Sequence, residues 1–145
     1  MKKTVLAVTS LSIAIFVSGC ASVPMATPEA DAIAKQFVVD PAKANIYVYR
    51  SETMGAAVKM PVLIDNVSVG DTAAKTYIYR QVTPGEHVIT SKTENDATLS
   101  VNAEPGRNYF VWQEVKMGAF AARSALHLVD ESKGHEGVAE CKLVQ

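Results

Sequence analysis

The chain has 145 residues, enough for one small domain with a modest core and too few for two independent ones. Its 14 basic side chains nearly balance 15 acidic ones, and two of the basic ones stand at the extreme N-terminus, so no charge excess exists to hold nucleic acid. With 48% apolar residues and only two cysteines, Cys20 and Cys141, stability must come from packing and backbone pairing.

Lys2 and Lys3 precede an apolar run over 5–17 that Thr9, Ser10 and Ser12 interrupt. That run is shorter than the about 20 residues a spanning helix needs, and its charged start and small-residue end have the build of a secretory leader. The ending Val17, Ser18, Gly19, Cys20 resembles the lipobox of bacterial lipoproteins. The resemblance implies cleavage between Gly19 and Cys20, a diacylglycerol on the Cys20 thiol and a further acyl chain on the freed amine. One chain holds weakly, at about 0.8 kcal/mol per buried CH₂, but two or three hold firmly. The expected partner is therefore a membrane, reached through lipid alone. Ala21 follows the cysteine where enteric lipoproteins retained at the inner membrane carry Asp, which implies the periplasmic face of the outer membrane. Once Cys20 is acylated, Cys141 has no partner within its own chain.

Residues 20–27, with Ser22, Pro24 and Thr27, read as a tether. Thr27, Pro28 and Glu29 supply an N-cap, a first-turn proline and a first-turn acid, opening a helix expected over 28–41. Ala30, Ile33, Ala34 and Phe37 recur at helical spacing and predict a stripe facing the domain, with Asp40 and Pro41 as its stop. From Asn45 the period becomes two: Ile46 and Val48 share one face of a strand, Tyr47 and Tyr49 the other. A loop over 54–60 leads to strands at 61–64 and 67–69, joined at Asp65 and Asn66, which tolerate positive φ.

Strands follow at 76–82, 87–93, 97–103, 108–115 and 124–129, separated by turns at 83–86, 94–96 and 104–106. Ala97, Leu99, Val101 and Ala103 point inward; 108–115 is apolar on both faces and belongs in the middle of a sheet; Leu126 and Leu128 are expected inward. The segment 138–144 favours a short helix over an edge strand. The whole is mainly β: an antiparallel sandwich of about seven to eight short strands over 42–145, with an N-terminal and a short C-terminal helix.

The strand Ile46, Tyr47, Val48, Tyr49, Arg50, the hairpin 61–65 with Val69 and Gly70, the turn Pro84, Gly85, Glu86, His87, the strand Gly106, Arg107, Asn108, Tyr109, Phe110 and the ending Glu140, Cys141, Lys142, Leu143 resemble a family of bacterial lipoproteins, domain of unknown function 2846, over 42–144. The middle also resembles the PEGA-type β-sandwich modules of cell envelopes. The resemblance implies a periplasmic sandwich lipoprotein without an assigned reaction.

No G-x-S-x-G elbow or phosphate loop is present, and the glycines at 70, 85 and 106 end or turn strands. His87 and His127 read as a turn-bound and an outer-face imidazole, while His135, Glu136, Glu140 and Cys141 lack the spacing of a metal set. Cys141 reads as a small buried hydrophobe. No catalytic residue, metal or cofactor is expected. Two candidate partner surfaces remain. One is an aromatic face of Tyr47, Tyr49, Tyr77 and Tyr79, set among Arg50, Arg80, Arg107 and Arg123, unless the first helix covers it. The other is the pair of apolar loops carrying Met54, Met117 and Phe120. These features favour a non-catalytic envelope module that binds an envelope protein or peptidoglycan. A small hydrolase or metal-dependent enzyme using His87, His127 or Cys141, and an inhibitor that fills a foreign hydrolase with residues 51–60 or 116–123, are the alternatives.

Overall fold

The computed structural model describes residues 20–145, so the leader over 1–19 and Val17, Ser18 and Gly19 of the lipobox lie outside the described residues. Helix α1 (Pro28–Ala34) precedes eight strands: β1 (Ala44–Arg50), β2 (Met60–Ile64), β3 (Val67–Thr72), β4 (Thr76–Val82), β5 (Gly85–Lys92), β6 (Asp96–Ala103), β7 (Arg107–Met117) and β8 (Ala122–Val129). Helix α2 (Glu131–Ala139) and the two-residue strand β9 (Lys142–Leu143) complete the chain. Among the described residues no helix is long and apolar enough to cross a membrane.

The strands form two sheets, ordered β8-β7-β1-β4-β9 and β3-β2-β5-β6. Each has one face that must leave water, and they stack on it as a sandwich. Ile46, Val48, Val62, Ile64, Ile78, Ile89, Val101 and Val111 fill the space between them. β1 is buried at every residue because the opposite face of the larger sheet is also covered. There Tyr47, Tyr49, Tyr77, Phe110, Val138, Cys141 and Leu143 form a second core under the two helices. The molecule thus has three layers, and the period-two pattern of β1 feeds Ile46 and Val48 to one core and Tyr47 and Tyr49 to the other.

The predicted sandwich is present, with local departures. Pairing is mostly antiparallel, but β1 runs parallel to β7 and β4 parallel to β9. The Asp65 and Asn66 turn is as expected, both residues having positive φ (52° and 65°). The first helix stops at Ala34, well short of 41. Its last turn closes with Phe37 N–H donating to the Ala34 carbonyl (3.2 Å), and Phe37 takes φ 56°. That left-handed turn swings the Phe37 ring against Tyr47 and Phe110, burial that a continued helix would forgo. The stripe is correspondingly narrower: Ala34 is buried, but Ile33 is 67% exposed.

The tail also departs from expectation. α2 lies earlier than predicted, because Asp130 caps it by accepting from Lys133 N–H (3.0 Å). Gly134 and Gly137 let it lie flat on the sheet, since a Cβ at either would overlap the ring of Phe110 or Tyr49. The segment after it is an edge strand, because Lys142 and Val144 N–H groups find the Lys75 and Tyr77 carbonyls. Leu126 is half-buried as expected, whereas Leu128 is 50% exposed on β8, the edge strand of its sheet.

Candidate functional site

The four tyrosines do form one stripe. β1 and β4 are neighbours, and Tyr47 sits opposite Tyr79, Tyr49 opposite Tyr77. It is not a docking face, however: Tyr47, Tyr49 and Tyr77 are buried beneath the helices. Tyr47 Oη donates to the Ala34 carbonyl (3.0 Å) and Tyr77 Oη lies 3.4 Å from that of Asp31, so the phenols serve as tethers for α1. Burial pushes the Tyr49 hydroxyl up to about 12 and raises those of Tyr47 and Tyr77 further. Only Tyr79 keeps partial access, in a shallow groove with Ile33 and Val38.

The two apolar loops, by contrast, are open. They also meet. Residues 51–59 turn back at the end of β1 because Arg50, fully buried, reaches into them. Its Nη1 donates to the Val58 carbonyl (2.7 Å), and its Nη2 to those of Met54 (3.1 Å) and Gly55 (2.5 Å). Val58 N–H closes the turn on the Gly55 carbonyl (2.9 Å), and Gly55 adopts φ 66° beside Val115. Desolvation lowers the Arg50 pKa, but a guanidinium stays charged throughout. The sequence pattern set Arg50 among surface arginines; its position as the last residue of a two-face-buried strand was the signal that it turns inward.

The second loop, between β7 and β8, is folded by a single carboxylate. Glu94 accepts from the N–H groups of Ala119 (3.3 Å), Phe120 (2.9 Å) and Ala121 (2.8 Å), and these donors hold its pKa below the ordinary carboxylate value. Nothing in the spacing of Glu94 announced this role, because the contact spans 26 residues. With the backbone gathered onto Glu94, the side chains face out: Met117 is 85% and Phe120 99% exposed. Met54, 55% exposed, faces them across a groove of about 280 Å³ lined also by Val58, Val115 and Ala122.

Cys20 is exposed and adjoins the Arg50-held loop through its neighbour Ala21. Ala21 N–H donates to the Ala56 carbonyl (2.9 Å), within the Arg50-held loop. The expected tether over 20–27 is mostly not free. Val23 is buried, Met25 bridges Val144, and Ala26 N–H donates to the Leu143 carbonyl (3.0 Å). The strand-like pairing arises because β9 is an edge whose outer carbonyls and N–H groups need partners.

The imidazoles are engaged elsewhere. His87 Nδ1 lies 2.6 Å from Asp65 Oδ2 and Nε2 2.7 Å from the Thr83 carbonyl. Both partners are acceptors, so the ring fits as a doubly protonated imidazolium. Burial alone would lower its pKa; the hydrogen bonds and the Asp65 charge outweigh that and raise it. His127 stacks on Trp112 (centroids 5.0 Å) and pairs with Glu114 (2.8 Å), and Trp112 Nε1 donates to Glu52 (2.7 Å). His135 stacks on Phe37 at 3.9 Å. Cys141 is 1% exposed, 3.4 Å from the Arg50 carbonyl, and burial pushes its thiol up to about 12. Among the described residues no group of three His, Cys, Asp or Glu side chains is placed to hold a metal ion.

A family model described as a protein of unknown function, DUF2846, matches residues 40–125, from just before β1 into β8. The chain belongs to the DUF2846 family. A relative named only as an uncharacterised protein, from Haemophilus influenzae (strain ATCC 51907 / DSM 11121 / KW20 / Rd), is 34% identical over 136 residues, covering 92% of this chain and 80% of its own length. No solved structure matches significantly. Within the DUF2846 match fall Arg50, both apolar loops and Glu94, whereas Cys20, α1, α2 and β9 lie outside it.

Proposed function

We propose that this DUF2846 protein is a lipid-anchored, non-catalytic module of the bacterial envelope, held by acyl chains on Cys20 at the periplasmic face of the outer membrane. The observation that carries the reading is the run Val17, Ser18, Gly19, Cys20 behind a short interrupted apolar segment. Cys20 is exposed and available to an acyltransferase, which is compatible with it. The absence of turnover is inferred from how the reactive groups are spent. Both His87 nitrogens are occupied by structural acceptors, and the Cys141 thiol is buried and poorly ionised. A module whose buried thiol and turn-bound imidazole serve packing suits docking to an envelope protein or peptidoglycan.

Labelling cells with palmitate tests the anchor. The parent is expected to take up label and sediment with membranes, and Cys20→Ser to lose both and retain residues 1–19. A Cys20→Ser protein processed and sorted like its parent would overturn the reading. For the second half, His87→Ala and Cys141→Ala at normal abundance should leave the cellular phenotype of a deletion complemented. Loss of complementation by a folded His87→Ala protein would return the enzyme alternative.

A further inference from the structure

We propose that the pole carrying Met54, Met117 and Phe120 rests on the bilayer, so that the acylated protein is held in one orientation and its other faces are presented outward. The inference rests on the acylation of Cys20 proposed above and adds to it a surface. An anchor orients a domain only when the connecting chain has no slack. Here it has almost none. Val23 is buried, Met25 is bridged to Val144, and Ala21 N–H is itself bonded to the Ala56 carbonyl. With that last bond opened, Cys20 to Ser22 would still reach only about 10 Å at full extension. Whatever surrounds Ala56 must therefore lie against the headgroups or among the first carbons of the acyl chains.

What surrounds it suits that place. Met54 belongs to the same loop as Ala56, and Met117 and Phe120 line the same groove. A wholly exposed Phe with two exposed Met beside it is an unfavourable surface in water and a favourable one at the acyl boundary. Exposed Lys116, which lines the groove and lies 3.4 Å from Glu114, and exposed Lys59, one residue after Val58, suit anionic headgroups. Glu94, an exposed carboxylate beneath the tips, accepts from three backbone N–H groups, which offset its charge beside the headgroups. The loops are also braced, one by buried Arg50 and the other by the Glu94 carboxylate, so they present apolar tips on a fixed base.

The test uses the full, processed protein carrying Phe120→Trp, reconstituted into vesicles of phosphatidylethanolamine and phosphatidylglycerol; the parent, with Trp112 alone, is the baseline. Because Phe120 is exposed, the change leaves the fold intact. The emission that the substitution adds should be blue-shifted on vesicles, lose most of its intensity when the lipids carry brominated acyl chains, and be shielded from iodide. Palmitate incorporation is read on the same sample. Label with no bromine quenching and full iodide access overturns the orientation while leaving the anchor standing. Shielding from iodide without bromine quenching also overturns it, and assigns the patch to a second copy or a protein partner. Absence of palmitate removes the anchor and this inference with it.

Discussion

Arg50→Met isolates what the buried cation does. The parent side chain has no exposed surface, and no ion pair among the described residues includes it; three main-chain carbonyls are its acceptors. Met fills a similar stem volume and removes all the donors at once. A hydrogen bond to a charged group contributes about 1.5–3 kcal/mol, but two terms reduce the sum. The desolvation cost of the cation disappears, and the loop is exposed enough for water to reach carbonyls released by partial opening. A net loss of about 2–4 kcal/mol is expected, equivalent to a fall in Tm on the order of 10 °C for a domain of this size. Arg50→Lys should fall between, since a single ammonium cannot span acceptors at 54, 55 and 58 with the geometry of a fork. Denaturant unfolding measures the stability, and amide exchange at Val58, whose N–H is bonded to the Gly55 carbonyl, reports the loop. A variant within about 0.5 kcal/mol of the parent, with Val58 still protected, would refute the assignment of Arg50 as the post of this loop.

Gly137→Ala gains about 1 kcal/mol in helix propensity yet should destabilise the protein, because relieving the overlap with Tyr49 costs about 3 kcal/mol, a net loss of about 2 kcal/mol; Ser132→Ala on the exposed face of α2 is the control, and a thermal melt decides. His87→Gln should narrow stability most at mildly acid pH. The raised His87 pKa contributes fully below about pH 6.5 and is lost as pH rises through its folded value; the lowered Asp65 pKa contributes above about pH 4 and is lost as pH falls. A urea-midpoint difference between parent and variant that stays constant from mildly acid to alkaline pH would contradict the imidazolium assignment. In a Cys20→Ser background, Cys141 should resist a thiol reagent at neutral pH until the domain unfolds, and rapid labelling of folded protein would show the site to be open.

Secondary structure was legible wherever the cause is local. The alternation in β1, the Asp65 and Asn66 turn and the two-faced burial of β7 follow from side-chain period and backbone sterics within a few residues, and they were sufficient for a mainly β sandwich. The lipobox resemblance is likewise written in consecutive residues. Tertiary packing decided the rest. α1 ends at Ala34 because the Phe37 ring finds Tyr47 and Phe110, partners carried on strands the local sequence does not show. The tyrosine stripe became a second core, not a surface, because α1 covers it, as the sequence left open, and α2 returns from the far end of the chain to complete the cover. Residues 23–26 read as a tether by composition, yet they pair with the C-terminal edge more than a hundred residues away, and that removes the slack on Cys20. The fate of a backbone donor, an aromatic face or a buried cation depends on which distant groups the fold brings within about 3 Å, and no window along the chain contains that information.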